Sequence, residues 1–192
     1  MRAGGVRPEA SLASRLDELE GEVLKAARPA AYWRLEPVVR KADGAYAVGP
    51  LGLTSGDLAR ELEGCAHAFL FVATLGTGVD ALLRRCSVTS AADALFVQGL
   101  STSLIESWCD DCGRRMLDEV RATGETLRRR FSPGYGDLPL EVQRPLLAAL
   151  DATRRVGVSL TDGLLMVPSK SVSAIVGVGR ERVERVEKVE KV

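Results

Sequence analysis

The sequence carries a single histidine, His67. That excludes every metal centre built from several imidazoles, the HExxH type included. It also lacks an excess of charge of either sign, since 26 Lys and Arg balance 26 Asp and Glu. Affinity for nucleic acid comes largely from clustered basic residues, so a polyanion is an unfavoured partner. No apolar run approaches the roughly 20 residues that span a bilayer. The opening Met1-Arg-Ala-Gly-Gly-Val-Arg-Pro-Glu9 has no apolar centre of the secretory type. These absences predict a cytoplasmic protein with no nucleic-acid and no membrane partner. The cysteines Cys65, Cys86, Cys109 and Cys112 suit that compartment, where thiols stay reduced. Cys109-Asp-Asp-Cys112 has redox-pair spacing but lies inside a predicted helix, away from the N-terminal dipole that lowers a thiol pKa, and no second pair completes a zinc set. These cysteines read as incidental.

What is present is an alternation of helical and strand patterns long enough for one sizeable domain. Residues 1–10 read as a loose leader. Ser11 can cap a helix with Leu12, Leu16, Leu19, Val23 and Leu24 on one stripe, ended by Arg28-Pro29. Residues 30–50 predict short strands, and Thr54 or Ser55 caps a short helix carrying Leu58 and Leu62. Ala68-Phe-Leu-Phe-Val-Ala73 is a continuous apolar run of the buried-strand type. It leads through Thr74-Leu-Gly-Thr-Gly78 into a helix. From Ala91 to about Val120 no proline interrupts a helical pattern, so one long helix should cross the core. Arg128-Arg-Arg130 reads as a polar stretch before a loop, and Leu138–Arg155 as one helix with Pro139 near its first turn. Val158–Leu160, Leu164–Val167 and Ser171–Gly177 are strand-like. From Arg180 to Val192, nine of 13 residues are charged, which predicts a solvated helix or frayed tail without chemistry. The fold class is α+β: a single domain with an antiparallel sheet, helices packed around it and one long central helix.

Several patterns carry possible chemistry. Gly76-Thr-Gly78-Val-Asp-Ala81 fits a loose dinucleotide motif after a strand, yet no second strand ending in Asp or Glu follows at the required spacing. A tight strand-to-helix turn explains it better. His67 has no identifiable base or nucleophile partner and reads as structural. Glu106, in mid-helix between Ile105 and Trp108, is either paired to an arginine or free to bind an amine. The loop Arg130-Phe-Ser-Pro-Gly-Tyr-Gly-Asp137 combines a carboxylate-holding arginine with glycines that permit close backbone approach and an aromatic hydroxyl. It suits a small zwitterion carrying a flat base, or equally a rigid surface turn.

This loop, with Gly157-Val-Ser-Leu-Thr161 and Met166-Val-Pro-Ser-Lys-Ser-Val-Ser-Ala174 downstream and Thr74-Leu-Gly76 upstream, resembles the activation domain of cobalamin-dependent methionine synthase. More closely it is similar to stand-alone, single-domain relatives of that domain. The resemblance covers about residues 11–178, setting aside the leader 1–10 and the charged tail 179–192. It implies a curved α+β domain that binds S-adenosylmethionine and supports reductive methylation of cobalamin, with flavodoxin or a similar electron donor. By resemblance, Arg130 holds the methionine carboxylate, Glu106 stands near the amine, and the backbone of Ser132, Gly134 and Tyr135 lines the adenosyl group. No side chain is implied as catalytic, because the reduced cobalt is the nucleophile and the protein orients and desolvates. The chain departs from the family in two places: Gly136-Asp-Leu-Pro139 replaces a Pro and Cys-Pro continuation, and an aliphatic residue near Val176 replaces a tyrosine. It also carries no D-x-H-x-x-G cobalamin-ligand motif, no zinc thiolate set and no folate or homocysteine module. The implied cobalamin therefore belongs to a partner, a corrinoid-carrying methionine synthase or methyltransferase chain. The competing expectation is a non-catalytic scaffold or regulatory subunit of such a system; a dinucleotide enzyme ranks below both.

Overall fold

The protein is described by a computed structural model covering residues 8–41 and 45–180. Helix α1 (Pro8–Ala26) starts with proline in the first helical position, where its missing N–H costs nothing. Pro8–Ala10 thus belong to a helix rather than to a leader. The long strand β1 (Ala30–Arg40) precedes short strands β2 (Tyr46–Val48) and β3 (Leu51–Leu53) and helix α2 (Gly56–Glu61). Ser55 caps α2, its hydroxyl accepting from the Leu58 N–H at 3.0 Å. Strand β4 (Cys65–Thr74) runs into α3 (Thr77–Thr89) and then α4 (Ala91–Val120), which is capped by Ser90. Strand β5 (Thr126–Phe131), helices α5 (Gln143–Ala149) and α6 (Ala152–Val156), the pair β6 (Ser159–Leu160) and β7 (Met166–Val167), and β8 (Ser171–Gly179) follow. The leader residues 1–7 and the tail residues 181–192 lie outside the described residues.

Six strands form one antiparallel sheet in the order β3-β2-β1-β4-β8-β5. Strand β4 lies in its interior with both faces covered, and this explains its unbroken apolar run. Ala68, Leu70 and Val72 face a core that includes Leu146, Leu150 and Leu58 from the short helices. Phe69, Phe71 and Ala73 face a second core with Ile105, Cys109, Cys112 and Met116 of α4. A third cluster, Leu19, Val23, Leu82, Cys86 and Val97, joins α1 to α3 and α4. Arg15 of α1 anchors the same corner through an ion pair with Asp93 at 2.6 Å. The 30-residue α4 passes Gly99 and Gly113 as one element, about 45 Å long. No helix among the described residues is long and apolar enough to cross a membrane.

Besides Pro8–Ala10, and the 11-residue β1 that stands where short strands are expected, two further segments differ from the sequence-based expectation. Arg128-Arg-Arg130, which the sequence marks only as a polar stretch, forms half of edge strand β5, and Phe131, expected in the loop, ends that strand, with a register shift between Leu127 and Arg130. Charged side chains and irregular register are what an edge strand uses to avoid further pairing, and they hide the apolar alternation. The expected helix over 138–155 is broken: a 3-10 turn (Leu140–Val142) precedes α5, and Asp151 takes a left-handed conformation at φ 50° before α6. Asp tolerates that region better than most residues, and the break lets α6 turn back toward β1, with the Arg155 guanidinium 4.1 Å from the centre of the Tyr32 ring.

Candidate functional site

Arg130 lies near the end of β5, opposite Val176 of β8, and projects on the α4 side of the sheet. Glu106 and Asp110 sit one helical turn apart on α4, so they share a face. Arg130 donates through Nη2 to Glu106 Oε2 at 2.7 Å and lies 3.5 Å from Asp110 Oδ1. Its Nη1 is buried without a hydrogen-bond partner. Glu106 itself is more than half exposed, so it is a surface carboxylate held by an arginine, not an acid forced into the core. Glu61, Arg129, Arg130, Phe131 and Tyr135 line a small hollow of about 120 Å³ here.

The loop after Arg130 is rigid by construction. Gly134 (φ 84°) and Gly136 (φ 54°) occupy the left-handed region. The Gly134 N–H donates to Leu138 O at 2.9 Å, Tyr135 N–H to Ser132 O at 3.1 Å, and Leu138 N–H to Tyr135 O at 3.1 Å. Tyr135 packs edge-on against Phe131, with centroids 5.5 Å apart, yet remains 69% exposed. Asp137 then ties the loop to the start of α2, accepting from Gly56 N–H at 2.7 Å, from Asp57 N–H at 3.2 Å and from the Ser55 hydroxyl. The Ser55 bond, followed by those backbone donors, holds the Asp137 carboxyl below the usual aspartate range. A depressed folded-state pKa gives stability that is present above the unfolded-state value and lost as pH falls through the folded one. Asp137→Ala is therefore expected to lower Tm at neutral pH, with the gap to the parent closing as the pH falls through and below that range; melting curves across pH 2–7 (roughly the carboxylate titration range) check this.

The remaining sequence signals lie elsewhere. Thr74 and Ser171 face each other across β4 and β8 with hydroxyls 2.8 Å apart. Ser169 donates from its N–H to Asp80 at 2.9 Å, and the Leu75 N–H donates to Lys170 O at 2.9 Å. Lys170 is buried and reaches Thr102 Oγ1 at 2.8 Å. This cluster sits five residues along β8 from Arg130's partner Val176, or roughly 17 Å, and it fixes the β4–α3 turn. Gly76 and Gly78 serve packing there: a Cβ on Gly78 would stand 2.2 Å from Ala26 O. His67 is exposed on β4 between Pro37 and Val178. Cys109 and Cys112 are buried, and burial pushes the Cys109 thiol up to about 12, which makes it inert as a nucleophile. Asp110 and Asp137 did not stand out in the sequence. The signal for Asp110 was its four-residue spacing from Glu106.

An α+β domain with a six-stranded antiparallel sheet, a long crossing helix and a carboxylate-paired arginine before a Pro-Gly-Tyr loop is the class that these elements define. The family model described as vitamin B12 dependent methionine synthase, activation domain, matches residues 67–190, more than half of the chain. The chain belongs to that family. Among solved structures, a crystal structure of the MetH reactivation domain bound to AdoHcy shares the fold, with a TM-score of 0.67 at 17% identity, over 93% of this chain and 69% of that one. Comparison with curated proteins returns no match. The family match starts within β4 and continues into the charged tail.

Proposed function

We propose that the domain, over about residues 11–178, binds S-adenosylmethionine at the Arg130 loop and serves as the methyl-donor component in reactivating a corrinoid protein. The observation that carries this reading is Arg130 itself: Nη2 is engaged by Glu106 while the buried Nη1 has no partner. A buried guanidinium nitrogen without an acceptor is an unmet donor, and a carboxylate that reaches it, here that of the methionine moiety, would meet that need. Glu106, more than half exposed beside it, would receive the α-ammonium. The hollow of about 120 Å³ accommodates the amino-acid end, and the adenosyl group would lie along Ser132, Gly134 and Tyr135. Because the Gly134 and Tyr135 N–H groups are spent inside the loop, this backbone would offer carbonyl oxygens and peptide planes, and the adenine amino group is a donor that matches them.

When bound, the sulfonium supplies a methyl group to reduced cobalt. In this reading the corrinoid would be held on a separate methionine synthase or methyltransferase protein, as membership of the activation-domain family suggests. The electron would come from a flavodoxin-like or other donor. The buried thiols Cys86, Cys109 and Cys112 fit work in the reducing cytoplasm. Orientation and water exclusion are what this chain's residues would provide.

Calorimetric titration of S-adenosylmethionine into the protein tests the reading. Saturable one-to-one binding is expected. The competing reading is a scaffold or regulatory subunit, favoured by the fact that Arg130 is already neutralised by Glu106 and Asp110. Absence of heat, even with the purified corrinoid protein added, would leave that reading standing.

A further inference from the structure

We infer that Asp110 is a positioning residue, a reserve partner that takes over Arg130 when a ligand draws Glu106 away. The inference rests on the binding reading above and names how that site changes state. Both carboxylates reach the same nitrogen, Arg130 Nη2, but unequally: Glu106 at 2.7 Å is hydrogen-bonded and Asp110 at 3.5 Å is only in ion-pair range. Four residues apart on α4, they lie one above the other along the guanidinium. Before a ligand arrives, Nη1 adds no anchor of its own, since it has no partner.

An amino-acid ligand presents two groups at once. Its carboxylate goes to Arg130 and its ammonium attracts Glu106, which must loosen from Nη2 to turn toward it. Without a replacement, Nη2 would be left unheld and the guanidinium would rest on the ligand's carboxylate alone, so that ordering the long side chain would cost ligand affinity. Asp110 closes 3.5 Å to a hydrogen bond by side-chain rotation alone, being two-thirds exposed and unobstructed by the core. The exchange conserves charge: one carboxylate leaves the arginine, one joins it, and no proton moves.

The test compares AdoHcy, which carries the ammonium, with its des-amino analogue 5′-S-(3-carboxypropyl)-5′-thioadenosine, which keeps only the carboxylate. Dissociation constants are measured for the parent, Asp110→Asn and Asp110→Glu, by direct calorimetry or by competition against AdoHcy. The analogue leaves Glu106 on Arg130, so the reserve partner is not used. Asp110→Asn is expected to weaken AdoHcy by about 5- to 20-fold, the range for replacing a charge-assisted bond with a neutral one, and to leave the analogue within about twofold. Asp110→Glu should restore most of the AdoHcy affinity. Equal weakening of both ligands, or no effect on either, would overturn the exchange and make Asp110 an ordinary surface charge. Failure of the parent to bind AdoHcy at all would instead sink the ligand reading itself.

Discussion

Arg130→Ala is expected to weaken S-adenosylmethionine binding by about 100-fold or more while leaving the fold in place. Each hydrogen bond to a charged group contributes roughly 1.5–3 kcal/mol, and a carboxylate bridging the guanidinium would lose two of them, or two decades in affinity at least. Stability runs the other way. The partners left behind, Glu106 and Asp110, are 56% and 66% exposed and return to water at little cost. The substitution also deletes Nη1, a buried donor with no acceptor. A Tm within about 2 °C of the parent should accompany the lost calorimetric signal. Retained affinity in Arg130→Ala would remove the arginine from the site. A large fall in Tm would show that it is a structural strut instead.

How much of this was legible in the sequence depends on whether a local pattern sufficed. Strand β4 and helix α4 were plain because each shows its whole period, a continuous apolar run and a proline-free helical repeat bounded by Ser90. Strand β5 was not, because three arginines on an edge strand each find a different neighbour: Arg129 lies 3.4 Å from Glu61 of α2, Arg130 meets Glu106 of α4, and Arg128 donates to the Arg180 carbonyl. No alternation survives that arrangement. The break at Asp151 was hidden for the opposite reason, since a left-handed Asp costs too little to leave a compositional mark. For the site, the resemblance of the Arg130–Asp137 loop was readable. Its rigidity was not, because Asp137 acts through α2, some 80 residues earlier in the chain.

Gly78→Ala is expected to destabilise the protein by about 2 kcal/mol, lowering Tm by roughly 4–8 °C, and this settles what the Gly76–Ala81 pattern is for. Two effects compete. Alanine in a helix gains up to ~1 kcal/mol over glycine, and Gly78 has no positive φ to forbid a side chain. Against this, its Cβ would stand 2.2 Å from Ala26 O and 3.2 Å from the carbonyl carbon. The obstruction is backbone at the end of α1, so no rotamer change relieves it. Separating α1 from α3 by about 1 Å would restore contact distance but open the cluster of Leu19, Val23, Leu82, Cys86 and Val97, and overpacking of this kind costs ~1–3 kcal/mol beyond the helix gain. Gly99→Ala, in mid-α4 with nothing within 4 Å of its added Cβ, isolates the helical gain and should raise stability by ~0.5–1 kcal/mol. Thermal melts of the two variants should therefore move in opposite directions, and NAD should shift neither. Equal stabilisation by both substitutions would show that α1 and α3 do not meet at Gly78. A melt raised by NAD in the parent and not in Gly78→Ala would restore the phosphate-cradling role that the close contact with Ala26 argues against.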